Sequence, residues 1–103
     1  MEIIWADEAF QRWCEAADYI LHEFDVRAVE RFQKHTEEWE DSLSQNPQIG
    51  KVEPLLANRS QLYRSIVIKK LNKLIYYIEN DTIIIADFWD TRREPHEQAN
   101  QIK

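Results

Sequence analysis

Apolar positions along this 103-residue chain change period once, and the change divides it into a helical part and a strand part. Glu2 to Trp5 is a short β-prone run. After it, Phe10, Trp13, Ala17, Ile20 or Leu21, and Phe24 recur at spacings of three and four. That spacing predicts an amphipathic helix with Asp7 as its N-cap. Asp25 is placed to cap a second helix, in which Val29, Phe32, Thr36, Trp39 and Leu43 keep the same rhythm up to the stop signal Asn46-Pro47. Two antiparallel helices, a hairpin, are expected.

From Gln61 the pattern is that of strands. Leu62 to Ile68, Leu71 to Glu79 and Thr82 to Trp89 are rich in Ile, Val, Leu and Tyr. Asn80-Asp81 suits a two-residue hairpin turn, because both side chains tolerate a left-handed backbone. That turn pairs Ile78 with Ile83, Tyr77 with Ile84, Tyr76 with Ile85, Ile75 with Ala86, Leu74 with Asp87 and Lys73 with Phe88. An earlier turn at Lys69-Lys70 would put Arg64, Ile66 and Ile68 on the face of Lys73, Ile75 and Tyr77. The other face, with Val67, Leu74, Tyr76, Ile78, Ile83 and Ile85, is the one expected under the helical hairpin. The fold class is therefore α+β: a short N-terminal strand and a helical hairpin packed on a C-terminal antiparallel sheet.

Residues 44 to 60 hold two of the three prolines and the one glycine, Gly50, and form a long connection carrying its own apolar groups, Ile49, Val52, Leu55 and Leu56. Residues 1–95 are expected to be a single domain and residues 96–103 a polar C-terminal tail. A chain of this size buries a core without disulfides, and the single cysteine, Cys14, forms no internal bridge. Neither a signal-peptide pattern nor an apolar run of membrane-spanning length is present, so a reducing cytoplasm fits, and Asn58-Arg59-Ser60 matches a glycosylation acceptor by chance.

Charge sharpens the picture. Residues 1 to 60 hold 6 Lys or Arg against 13 Asp or Glu, whereas residues 61 to 103 hold 7 against 6. The window from Pro54 to Ile78 contains Arg59, Arg64, Lys69, Lys70 and Lys73 and no acid. A cationic patch on an acidic protein suggests a local anionic contact and argues against a delocalised grip on nucleic acid. Cations that solubilise strand edges are the alternative reading. Glu37, Glu38, Glu40 and Asp41 lie off the apolar stripe, as a solvated face would.

Other chemistry is sparse. His22, His35 and His96 have no metal-ligand spacing with Cys14 or one another, one glycine cannot build a phosphate loop, and no metal or cofactor is expected. Cys14 reads as a packing residue, and Asp90 as the ion-pair partner of Arg92 or Arg93.

The order of a short strand, a helical hairpin containing "ADYI" (17 to 20), the loop "NPQIGKVEPLL" (46 to 56) and "LYRSIVIKKLNKLIYYIENDTIIIADFWDTRREP" (62 to 95) resembles the RelE/ParE superfamily of toxins from bacterial type II toxin-antitoxin pairs, the plasmid-stabilisation type. The resemblance implies a cytoplasmic toxin, a cognate antitoxin as partner, a possible homodimer, and no membrane contact. For a ribosome-dependent mRNA endoribonuclease it places catalytic cations at Arg64, Lys73 and Arg92. Two departures weigh against that branch: a cation expected two residues after Arg64 is Ile66, and no tyrosine follows Tyr77, leaving His96 as the available acid or base. The chain is closer to the ParE branch, associated with DNA gyrase, in which Arg64, Lys73, Tyr77, Phe88, Trp89, Arg92 and Arg93 would contact target or antitoxin. A degenerate toxin that only binds antitoxin is the third alternative.

Overall fold

The structure, a computed structural model, describes residues 1–92 and 95–102. Strand β1 (Glu2–Trp5) leads into α1 (Asp7–Glu23) and α2 (Val26–Gln45). The connection that follows contains β2 (Lys51–Val52) and a 3-10 turn at Pro54–Leu56. Then come β3 (Arg64–Ile68), β4 (Asn72–Glu79), β5 (Thr82–Asp90) and a short α3 (Pro95–Asn100). The sheet order is β1-β5-β4-β3-β2. It is antiparallel except at one edge, where β1 runs parallel to β5. The helical hairpin supplies the crossover that a parallel pair requires.

The helices start as local chemistry directs. Asp25 caps α2, its carboxylate accepting from the Ala28 N–H at 2.9 Å. Ala6, not Asp7, occupies the N-cap of α1 and offers no side-chain bond, so Asp7 instead sits in the first turn, where its charge suits the helix dipole. The stripe of α2 packs as expected through Phe32, Thr36 and Leu43. That of α1 is rotated: Ala9, Trp13, Ala16, Ala17 and Ile20 meet the core, while Phe10 and Phe24 stand out of it. Small alanines let α1 approach the sheet closely, and the two phenylalanines fall beyond the line of contact.

Two local irregularities correct the expected sheet register. The β3–β4 connection takes three residues, since Ile68 pairs with Asn72, and Lys69 and Lys70 adopt φ of 48° and 70°. Leu71 is drawn away from β3 because its carbonyl accepts the Thr91 N–H at 2.9 Å. One extra residue flips a strand. Arg64, Ile66 and Ile68 therefore pair with Tyr76, Leu74 and Asn72 on the helix-covered face, and Val67 pairs with Lys73 on the other.

The second irregularity is a β-bulge in β5. Tyr76 pairs with Ile85 but Ile75 with Asp87, leaving Ala86 as the extra residue. Pairing from Ile78–Ile83 to Tyr76–Ile85 is as expected, and beyond it every partner moves by one: Ile75 meets Asp87, Leu74 meets Phe88, and Lys73 meets Trp89. Phe88 is thereby turned under the helices, edge-on to Phe32 at 6.0 Å, and Trp89 to the opposite face.

The sheet consequently has a core on each face. Beneath the helices lie Ile66, Ile68, Leu74, Tyr76, Ile83, Ile85 and Phe88. Full burial of each such aliphatic chain contributes about 1.5–3 kcal/mol. On the far side Leu56, Tyr63, Ile75 and Trp89 are covered by Ala99 and Ile102. The stretch expected to be a polar tail is thus packed. Arg59 holds it, Nε donating to the Ile102 carbonyl at 3.1 Å and Nη2 to that of Ala99 at 3.0 Å. Buried Gln98 accepts from the Asp90 N–H and donates to the Asp90 carbonyl, both at 2.9 Å.

Candidate functional site

The cations expected to share one concave surface are distributed to three places. Lys73 lies on the face covered by α3, where its Nζ donates to Glu53 Oε1 at 2.5 Å and sits 5.8 Å from the Trp89 ring centroid. Glu53 is 1% exposed, and among the described residues its Oε2 has no hydrogen-bond partner. A buried carboxylate of this kind holds its cation firmly, because losing it would leave an uncompensated charge. Trp89, offered by the sequence as a contact residue, is 2% exposed, and its indole N–H donates to Asp87 Oδ2 at 2.8 Å. Tyr77 is half-buried, edge-on to Tyr63 at 5.5 Å. Burial, then the neighbouring Tyr77, pushes the Tyr63 phenol pKa up, against a smaller opposing effect of Arg59.

Arg64 is on the opposite face. Its Nη1 donates to the Gly50 carbonyl at 2.8 Å. The same loop is held by Tyr76, whose hydroxyl accepts from the Gly50 N–H at 2.9 Å and donates to the Pro47 carbonyl at 2.8 Å. Burial pushes the Tyr76 phenol pKa up, while the Gly50 N–H and the Arg64 charge pull the other way. Arg64 therefore serves the 47–50 loop and does not join Lys73.

Arg92 occupies a third position, just past the end of β5. Asp90 takes it in a fork: Nε to Oδ1 and Nη2 to Oδ2, both at 3.0 Å, with the Arg92 backbone N–H on Oδ1 at 2.9 Å. This is the pairing anticipated for Asp90, and the guanidinium plane matches the carboxylate. The Arg92 carbon Cζ also lies 5.5 Å from the Tyr19 ring centroid. The carboxylate bond, then the Tyr19 bond, raises the Arg92 pKa above its ordinary value. Arg93, expected beside it, lies outside the described residues, and His96 is exposed on α3.

Around Arg92 is a groove of about 310 Å³ between α1 and the ends of β4 and β5. Arg12, Tyr19 and Ile20 form one wall, and Leu71, Phe88 and Asp90 line the other. Arg12 is paired with Asp87, a buried carboxylate that also accepts from the Phe88 N–H at 2.8 Å. Phe24, 71% exposed, and Leu71, 49% exposed, stand at its margin and form an apolar surface beside a cation.

The sequence reading missed Arg12, Tyr19, Asp87 and Glu53. Arg12, Ala16 and Tyr19 carry a helical signal, spaced four and three apart beside the apolar stripe. Asp87 was legible as a charge within an isoleucine-rich strand. Glu53 lies in an irregular connection with no periodicity to reveal it.

A family model described as the ParE toxin of the type II toxin-antitoxin system, parDE, matches residues 3–95. No curated protein sequence matches the chain. Among solved structures, the chromosomal ParDE TA system from P. aeruginosa is similar in fold, with a TM-score of 0.69 at 15% identity, covering 87% of this chain and 95% of that one. The YoeB dimer from Staphylococcus aureus is similar at a TM-score of 0.55 and 26% identity, covering 84% of this chain and 92% of that one. With the family pattern running through nearly all of the sheet and both long helices, the chain belongs to the ParE toxin family and is the toxin component of a type II toxin-antitoxin pair.

Proposed function

We propose that this toxin acts by binding a cellular target, in the manner of a DNA gyrase inhibitor, and not by cleaving RNA. The observation that carries this reading is the separation of its cations. Arg64 and Lys73 lie on opposite faces of the sheet, and each has a partner within the protein. Stabilising a pentavalent phosphate requires positive charges aimed at one point. Of these three cations Arg92, although paired with Asp90, is the one that stands exposed at a groove with apolar walls, an arrangement suited to a contact surface.

In this reading the cognate antitoxin neutralises the toxin by covering the Tyr19, Phe24, Leu71 and Arg92 surface. Both act in the cytoplasm, and among the described residues no helix is long and apolar enough to cross a membrane. A homodimer is part of the proposal, supported by the similar YoeB chain having been solved as a dimer. Gyrase supercoiling in the presence of purified protein tests the target. The wild type blocks supercoiling, and Arg92→Ala weakens the block through lost affinity, so that more protein is needed for the same inhibition. Supercoiling that proceeds unhindered at saturating, folded protein overturns the gyrase reading.

The second reading is ribosome-dependent mRNA cleavage. It is favoured by one feature, the placing of Arg92 against the Tyr19 phenol, which sets a cation beside a hydroxyl able to move a proton. Loss of codon-specific cleavage in Tyr19→Phe would support it. The third, a toxin that binds antitoxin and harms nothing, is tested by expression alone: growth arrest relieved by the antitoxin rejects it, and robust growth at high levels of folded protein supports it.

A further inference from the structure

On the other side of α1 from the Arg92 groove, a cleft of about 450 Å³ opens between the end of β1, the first turns of α1 and the middle of α2. Its walls are Trp5, Phe10, Trp13, Gln33, Glu37 and Glu40, with Thr36 at the back. None of these residues lines the Arg92 groove.

The rings are fixed. Trp13 lies between Phe32, at 5.2 Å and 18°, and Phe10, at 6.4 Å and 6°, and its indole N–H donates to Thr36 Oγ1 at 2.9 Å. Phe10 is the outermost ring of this stack and is 55% exposed. The Trp5 indole N–H is spent on Glu40 Oε2 at 3.2 Å, and among the described residues Glu37 accepts a side-chain bond from Gln33 alone, at 3.3 Å. Among the described residues the ion pairs are Arg12–Asp87, Lys73–Glu53 and Arg92–Asp90, so neither Glu37 nor Glu40 meets a cation. The cleft thus presents aromatic faces and two uncompensated carboxylates one helical turn apart, while both indole donors are satisfied internally.

We infer that this cleft receives a cationic side chain, arginine above all, carried by a basic segment of a partner polypeptide. A guanidinium is planar and weakly hydrated, stacks on an aromatic face, and aims N–H groups at carboxylates in its own plane. An anion would face like charge, and a neutral amide could donate N–H bonds but would leave the two negative charges uncompensated. The acidic residues 1 to 60, with 13 Asp or Glu against 6 Lys or Arg, add a field that draws a basic segment to this side. The inference goes beyond the toxin reading and stands whether the target is gyrase or the ribosome.

The test is a titration of the full chain with the peptide Ac-Gly-Arg-Gly-NH2, and with the same peptide carrying citrulline, its neutral isostere. The indole N–H resonances of Trp5 and Trp13 report occupancy. The arginine peptide shifts them saturably in the millimolar range, the citrulline peptide binds about ten-fold more weakly or worse, and added salt weakens the arginine peptide alone. Phe10→Leu keeps the apolar bulk but removes the ring face, and Glu37→Gln removes one charge. Each is an exposed position that leaves the fold intact, and each weakens the arginine peptide by about three-fold. No saturable shift, equal response to citrulline, or unchanged affinity in both variants overturns the inference.

Discussion

A methyl group added at position 50 would lie 2.7 Å from the Tyr76 hydroxyl oxygen and 2.9 Å from the Ser65 carbonyl oxygen, and this accounts for the only glycine in the chain. Its value here is the absence of bulk, since Gly50 does not have a positive φ. Gly50→Ala is therefore expected to destabilise by about 1–3 kcal/mol through overpacking. Tyr76→Phe leaves the Gly50 N–H and the Pro47 carbonyl unanswered and costs about 1–3 kcal/mol. Both are read by chemical denaturation. The sign of the alkaline effect follows from the raised Tyr76 pKa: the folded state favours the neutral phenol. That contribution is fully present below the ordinary pKa of 10.0 and is lost as pH rises through the raised value. Tyr76→Phe removes this part of the alkaline loss, leaving that of Tyr63.

Lys73 is the residue at which structure and sequence differ most in meaning. The sequence offered it as a catalytic or contact cation, and the structure commits it to buried Glu53. Lys73→Ala is expected to cost about 3–5 kcal/mol by leaving that carboxylate unpaired. Lys73→Met combined with Glu53→Gln recovers most of the loss, because the unpaired charge goes with its partner. A Lys73→Ala protein of wild-type stability would show that the pair is solvated and would return Lys73 to the candidate surface residues. No pattern in the sequence joins positions 53 and 73, since the contact depends on how an irregular connection crosses the sheet.

Among the elements, the two long helices were legible because a 3.6-residue period over four or more turns is a strong signal. The edge of the buried stripe was not. Phenylalanine counts as apolar whether it lies under a helix or beside it, and Phe10 and Phe24 lie beside it. Trp13→Ala, which removes a ring stacked on Phe32 and bonded to Thr36, is expected to cost about 3–5 kcal/mol. Phe24→Ala is expected to change stability by less than about 0.5 kcal/mol while weakening antitoxin binding. A large folding cost for Phe24→Ala would show that this ring belongs to the core. The strands were also legible, but their register was not. One extra loop residue at Leu71 and one bulge at Ala86 each move side chains to the other face. The six-residue α3 is too short for periodicity to announce it, and Ala99 and Ile102 reveal their role only once the far face of the sheet is seen to need cover.

At the scale of the whole molecule, the order of strand, helical hairpin and sheet carried the family assignment in the sequence, and the family match over residues 3–95 and the fold agree with it. The candidate site was less accessible, because site geometry depends on the register that the sequence left open. Three cations that align in a linear reading become a loop anchor, a buried ion pair and one exposed guanidinium in a groove. This separation is what the proposal of a binding module rests on.

The most direct test is to add the purified wild-type protein to a translating extract and map the 5′ ends of the ribosome-bound mRNA. If the toxin is a binding module, the mRNA stays intact at concentrations that block gyrase supercoiling. Specific cuts within ribosome-bound codons, abolished by Arg92→Ala, would contradict that reading.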